Sequence, residues 1–306
     1  MGNMECPKCG SGSIIRKGTR HLLNEIKQRY MCKSCRYRFT HQYVRSVDTA
    51  SGPRILIMDV ETLPMLVYTF SCKVDYISSD KIVTPTILLS WAAKWLNGDE
   101  IFGDVLTPEE ALSHDDSRIC ASMYALLCKA DMVVAYNGVS FDFKKLNYRF
   151  IVNKLKPPTE YRTIDPYVSI RNQFGFDSNA LTYVNRSLGI EEKTHTDFQC
   201  WVDCFNGKQE ALDNMLKYNQ NDVKILQDNY LQVRPWMKNH PNVGTYYEKV
   251  EGRCRVCGSP SLERLMDKGH YTNTARYALY VCRSCGAEST GRQNELDKDK
   301  MKGLVK

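Results

Sequence analysis

Two quartets of cysteines, one near each end, limit what this chain can build. Cys6-x-x-Cys9 is followed after 22 residues by Cys32-x-x-Cys35, and Cys254-x-x-Cys257 after 24 residues by Cys282-x-x-Cys285. Each set supplies four thiolates, the number a closed tetrahedral Zn²⁺ site takes. A closed site offers no coordination position to a substrate, so two structural Zn²⁺ ions are expected to hold two small modules and to do no chemistry. The remaining thiols, Cys72, Cys120, Cys128, Cys200 and Cys204, lack such spacing. Cys200 and Cys204, one helical turn apart beside Trp201 and Phe205, read as buried thiols.

Of 306 residues, the cysteine modules leave a central stretch long enough for one sizeable core. The expected division is a module over 1–40, a polar linker over 41–53, a central domain over 54–250, a second module over 251–291 and a charged, disordered tail over 292–306. No apolar run approaches the ~20 residues that span a bilayer, and the first residues lack a charged-then-apolar leader. A cytoplasmic protein without a membrane partner is expected. The net charge of +7 is uneven: residues 1–50 carry 10 Lys/Arg against 3 Asp/Glu, 51–250 carry 21 against 25, and 251–306 carry 11 against 7. Basic ends attract phosphates by counterion release, although short modules also carry more surface charge for their size.

The first module, Cys6-Pro-Lys-Cys-Gly-Ser through Gln28-Arg-Tyr-Met-Cys-Lys-Ser-Cys, resembles the zinc ribbons at the N-termini of bacterial transposases. The resemblance implies nucleic-acid contact through Arg16, Lys17, Arg20, Lys27, Arg29, Lys33 and Arg36; a solvated basic surface is the alternative. In the second module the alternating aromatics of Arg276-Tyr-Ala-Leu-Tyr-Val either stack on bases or pack the ribbon, and packing is favoured where other core residues are few.

Between the modules, Ile55-Leu-Ile-Met is a short continuous apolar run ending in Asp59, the pattern of a buried strand. Residues 86–95 and 100–105 read as strands around an Asn97-Gly98 turn, 117–129 as a helix, 132–136 as a buried strand and 141–154 as a helix stopping before Pro157-Pro158. A short strand over 161–164 leads to Asp165-Pro166, an N-cap with proline at the first helical position. Helices follow over 178–188, 197–205 and 209–233. Leading strands followed by alternating helix and strand predict a mixed α/β sheet with helices on both faces.

Four carboxylates stand out in this stretch. Asp59 and Glu61 are two apart on a strand and share a face. Asp142 follows Asn137-Gly138 in a strand-to-helix turn, where an ordinary helix N-terminal acid is the competing explanation. Asp222 lies mid-helix, where aspartate has poor propensity, with Tyr218 one turn earlier; Asn219, Gln220 and Asn221 supply that helix with polar surface. Hard cations about 4 Å apart stabilise both the attacking and leaving oxygens of phosphodiester cleavage when carboxylates hold them.

Taken in order, Asp59-x-Glu61, Asn137-Gly-x-x-Phe-Asp142 and Tyr218-x-x-x-Asp222 resemble the three motifs of the DEDD exonuclease superfamily. The Tyr-type branch, which includes the proofreading domains of B-family DNA polymerases, is the nearer match, because Lys217 stands where the sister branch carries histidine. Stretches 178–189 and 236–242 also resemble phage-encoded exonuclease-like proteins ending in a zinc ribbon.

The resemblance implies a ribonuclease-H-like fold and a metal-dependent 3′–5′ exonuclease acting on 3′ ends of DNA or RNA. Two Mg²⁺ or Mn²⁺ ions are implied. Asp59 would bridge both, Glu61 and Asp222 would complete the water-activating site, and Asp142 would support the second ion, partly through water. Tyr218 would orient the attacking water, since a phenol of pKa ~10 is a poor base at neutral pH. Main-chain groups of Thr62 and Leu63, and Asn137, would meet the terminal nucleotide. A replication or repair protein is a possible partner. Competing readings are an inactive nucleic-acid-binding adaptor and a ribonuclease-H-like transposase. Asp165 and Asp177 are explained by helix capping, His195 has no evident partner, and Lys144 and Lys193 are as well explained by solvated surface as by phosphate contact.

Overall fold

A computed structural model describes residues 6–22, 25–40, 52–190, 196–248 and 252–303. The chain forms two units, Met1–Asp48 and Thr49–Lys306. In the first, strands β1 (Ile14–Leu22), β2 (Glu25–Cys32) and β3 (Arg38–Thr40) make an antiparallel sheet in that order. Its turns close on the cysteines: the Gly10 and Arg36 N–H groups donate to the Cys6 and Cys32 carbonyls at 2.8 and 2.9 Å. Both residues take positive φ, 70° and 58°, so Arg36 occupies a left-handed position that glycine fills more easily.

The second unit begins with β4 (Ile55–Thr62). Ile55 and Ile57 enter one apolar cluster and Leu56, Met58 and Val60 another, so the strand is covered on both faces. A short hairpin, β5 (Leu66–Val67) with β6 (Ile82–Thr84), then leaves the sheet with Tyr68, Phe70 and Tyr76 exposed. β7 (Leu88–Trp95) returns antiparallel to β4, and β8 (Ile101–Val105) pairs antiparallel to β7. Helix α1 (Pro108–Ser113), an element beyond those expected from sequence, starts at a capping box between Thr107 and Glu110.

From here strand and helix alternate: α2 (Ser117–Leu127), β9 (Met132–Val134), α3 (Asp142–Val152), β10 (Arg162–Ile164) and α4 (Pro166–Gln173). Then come α5 (Leu181–Ser187), α6 (Phe198–Phe205) and the long α7 (Gln209–Val233). The five-stranded sheet has the order β10-β9-β4-β7-β8, with β10, β9 and β4 parallel. Side chains from α2 and α3 pack in one cluster, and those from α4, α5 and the C-terminal half of α7 in the other. This is the mixed sheet with helices on both faces that the sequence predicts. Among the described residues no helix is long and apolar enough to cross a membrane.

One buried ion pair ties α3 to the sheet. Arg149 donates to Asp116 through Nε (2.6 Å) and Nη2 (2.8 Å), and the Asn153 amide and Leu88 N–H donate to the same carboxylate, each at 2.8 Å. Burial pulls the Asp116 carboxyl upward, but Arg149, Asn153 and Leu88 outweigh it and hold it below its ordinary value. Arg149→Met would leave a fully buried carboxylate without its partner, and the expected loss is about 3–5 kcal/mol, read from urea unfolding at pH 7. Because the folded carboxyl titrates below the unfolded one, the pair's contribution is present above about pH 3.9 and fades as pH falls through the lower folded value. The wild-type advantage over the variant should therefore shrink in acid.

The second cysteine quartet carries an antiparallel sheet of β11 (Leu262–Tyr271), β12 (Arg276–Cys282) and β13 (Glu288–Asn294), followed by α8 (Lys298–Lys302). The tail expected to be disordered from 292 is thus partly strand and partly helix: Asn294 stays in register with Tyr277, and Glu295 N–H donates to the Arg276 carbonyl. The rings favoured for packing this ribbon lie along its sheet, half-buried. Cys254, Val256, Cys282 and Ala287 form the buried cluster, with Leu262 against it, and Tyr277 and Tyr280 are half-buried outside it. The cysteine quartet forms most of this cluster, and the rings lie toward the sheet surface.

Within this unit, segment 237–247 joins the ribbon to the central sheet. Arg255 donates to the carbonyls of Met237 (3.1 Å), Lys238 (3.4 Å) and Glu288 (3.0 Å), and Val243 N–H donates to the Arg255 carbonyl at 2.8 Å. The Tyr247 ring lies so close to Gly52 and Gly258 that a Cβ on either would fall 2.4 or 2.6 Å from its hydroxyl.

Candidate functional site

Asp59 and Glu61 extend the Ile55/Ile57 row of β4 onto the face crossed by α7. The β4–β7 register slips between Glu61 and Thr62, opposite Ser90 and Leu88, so a bulge lies beside the acids. From α7, Asp222 projects onto the same place. One ligand oxygen from each of Asp59, Glu61 and Asp222 lies within 4.8 Å of the others, with Asp222 buried and the other two half-buried. Three carboxylates so close repel one another unless a cation shares them, and an all-oxygen set suits a hard ion such as Mg²⁺ or Mn²⁺. The two cysteine quartets are the other such groups among the described residues. Their Sγ–Sγ separations, 3.6 Å for Cys6–Cys35 and Cys9–Cys32 and 3.7 and 3.6 Å for Cys254–Cys285 and Cys257–Cys282, match the ~3.8 Å edge of a tetrahedron with 2.3 Å Zn–S bonds.

Asp142 stands outside the three-carboxylate group. It is the first residue of α3, buried, and its Oδ1 accepts from Val60 N–H at 3.3 Å, between Asp59 and Glu61 along β4. Burial pushes its carboxyl up to about 7, with negative Asp165 adding to the shift. The turn before it is tightly made. Asn137 has φ of 58° and its carbonyl accepts from the Ser140 and Phe141 N–H groups, both at 3.1 Å. A Cβ on Gly138 would meet Ala135 Cβ at 2.5 Å, so this position admits only glycine without movement.

Two residues outside the motif set support these acids. Asn219, which the sequence presents as helix surface, is fully buried: its Nδ2 donates to Asp59 Oδ2 at 2.5 Å, and its Oδ1 accepts from Ser90 at 3.2 Å. Its signal in the sequence is the i,i+3 spacing to Asp222, which puts both on one face of α7. Asp165 does cap α4, accepting from Tyr167 N–H at 3.1 Å, but it also accepts from Asn137 N–H (2.9 Å) and Val139 N–H (3.3 Å), fixing the turn that presents Asp142. Removing a group that orients a metal ligand typically weakens metal affinity about 10- to 100-fold. Asn219→Ala is accordingly expected to weaken Mn²⁺ binding by that factor in isothermal titration; an unchanged affinity would deny Asn219 the role of orienting Asp59.

The other expected residues divide. Tyr218 is half-buried one turn before Asp222, its ring edge-on to Trp201 at 6.2 Å. Thr62 is half-buried at the end of β4, whereas the Leu63 side chain is fully buried and its N–H donates to the Ile87 carbonyl. Asn137 is half-buried. Lys17, Lys33 and Arg36 are exposed on the first unit; the side chains of Arg16, Arg20, Lys27 and Arg29 lie outside the described residues, as do Lys193 and His195. Cys204 is buried, and Cys200 Sγ lies 3.9 Å from the Ala211 carbonyl, as expected of packed thiols.

Residues 99–231 match a family model described as the RNase_H superfamily. That match takes in Asp142, Tyr218 and Asp222 and begins after Asp59 and Glu61. The central sheet with its helices is therefore RNase H-like, flanked by two small antiparallel sheets carrying the cysteine quartets. Among solved structures, the chain is similar to the family B DNA polymerase from the hyperthermophilic archaeon Pyrobaculum calidifontis, at 14% identity and a TM-score of 0.45. The likeness covers 60% of this chain and 25% of the polymerase. No curated protein sequence matches the chain.

Proposed function

We propose that this protein is a divalent-metal-dependent 3′–5′ exonuclease, with DNA the favoured strand. The observation that carries the reading is the convergence of Asp59, Glu61 and Asp222 from β4 and α7 within 4.8 Å. The order of these acids with Asp142 and Tyr218, which resembles the Tyr-type DEDD pattern, supports it. When bound, the cations supply a polarised water and neutralise charge on the phosphate. Asp59, Glu61 and Asp222 would hold them; Asn219 fixes Asp59, and Asp165 fixes the turn behind Asp142. Asp142, which accepts from Val60 N–H one residue from each acid of β4, would support a second ion, partly through water. The Tyr218 hydroxyl orients the attacking water. The basic ribbons draw the strand in by charge.

The test is a panel of 5′-labelled DNA and RNA, single- and double-stranded, incubated with Mg²⁺ or Mn²⁺. A ladder shortening from the 3′ end is the expected product. A strand that is retarded in a gel but keeps its length would identify a binding adaptor. Internal nicks or joined strands would identify a transposase-like nuclease.

A further inference from the structure

β4, β9 and β10 are parallel neighbours, so their carboxyl ends open on one edge of the sheet. Open α/β sheets take their ligands in crevices beyond that edge. The first strand ends in the acids Asp59 and Glu61, the second in the turn of Asn137 to Val139, and the third in Asp165. Beyond β10 lies a cleft of about 420 Å³. Its inner end is formed by Val139 and Asp165, which also hydrogen-bond each other across the turn that leads to Asp142. One wall is α4, with Ser169, Asn172 and Gln173; the other is segment 237–241, with Lys238 and Asn239.

The chemistry of these walls selects a ligand. Asn172, Gln173 and Asn239 each offer a donor and an acceptor, the combination that reads the edge of an unstacked base or a sugar hydroxyl. Exposed Lys238 supplies positive charge for a phosphate. The acidic lining residue, Asp165, is engaged by three backbone N–H groups, those of Asn137, Val139 and Tyr167. The volume lies in the range of small-molecule sites and is too small for a duplex. The second wall is fixed beforehand, because Arg255 of the ribbon holds the Met237 and Lys238 carbonyls. A preformed wall reduces the ordering cost of binding.

We propose that this cleft binds an unpaired nucleotide of the same strand, 5′ to the one released at the carboxylates. β10 lies two strand spacings from β4, roughly 10 Å, which places the cleft upstream of the nucleotide released at the carboxylates. The inference rests on the exonuclease reading and extends it to the path of the strand. The second zinc ribbon then has a role beyond its own fold, since it holds one wall of that path.

The test is fluorescence anisotropy of labelled dT10 and dT2 with Ca²⁺, comparing wild type with Asn172→Ala/Asn239→Ala and with Lys238→Glu. These side chains are exposed, and thermal melting verifies that each variant is folded. The ratio of dT10 to dT2 affinity is expected to fall about 10-fold in each variant. A ratio within twofold of wild type, or equal losses for both lengths, would overturn the cleft assignment even if wild type shortens strands. If wild type neither binds nor shortens either oligonucleotide, the exonuclease reading fails and the cleft assignment falls with it.

Discussion

Asp59→Asn is expected to reduce 3′-end shortening at least about 1,000-fold, a loss of ~4 kcal/mol in transition-state stabilisation. The substitution removes one negative charge and one ligand oxygen from a group confined within 4.8 Å, yet it changes neither size nor the hydrogen bond from Asn219, whose Nδ2 can donate to an amide oxygen as it does to Asp59 Oδ2. Folding should therefore survive. Without divalent ions the variant should melt slightly higher than wild type, because one repulsive term of order 1 kcal/mol is gone. Added Mn²⁺ should raise the melting temperature of wild type and do little for the variant, since a ligand stabilises only the state that binds it. Equal strand shortening by the two proteins would remove Asp59 from the mechanism, and equal Mn²⁺ shifts would remove it from the metal site.

The elements that local chemistry specifies were legible. The run from Ile55 to Met58 and the spacing from Gln209 to Val233 carry their periodicity in plain view, and Asp165-Pro166 marks a helix start that the structure retains. The convergence of β4 and α7 was inferred from the motif resemblance, because 160 positions separate Asp59 from Asn219 and no local pattern spans them. What stayed hidden depends on such distant partners. Asn219 looks like surface until the helix is laid on the sheet and its amide meets Asp59. Asp165 has a sufficient local reason to exist, which concealed its hydrogen bonds to Asn137 and Val139, 28 and 26 positions earlier. The β5–β6 hairpin was missed for the opposite reason. Its strands are only two and three residues long, and Leu66, Tyr68, Phe70 and Tyr76 are exposed, so no burial pattern marks it.

Loss of the second cysteine quartet should have the widest structural effect. Zinc binding contributes roughly 10–16 kcal/mol in small metal-folded domains, so a ribbon whose buried cluster is Cys254, Val256, Cys282 and Ala287 has little to hold it without metal. Cys282→Ser is expected to unfold β11–β13 and to release segment 237–247, because Arg255, Val243 and Tyr247 join that segment to the ribbon. Hydrogen exchange should then quicken across 237–247 as well as 252–294, and the melting temperature of the unit should fall by about 2–4 °C for each kcal/mol lost. Cys32→Ser provides the contrast. Its ribbon belongs to the separate unit Met1–Asp48, so exchange should quicken over 6–40 while the central sheet melts as before. Elemental analysis should give about two zinc ions per chain for wild type and about one for each variant, since each quartet closes one tetrahedral site. Zinc near zero in wild type would undo both ribbon assignments, and equal effects of the two substitutions on 237–247 would show that the second ribbon does not brace that segment.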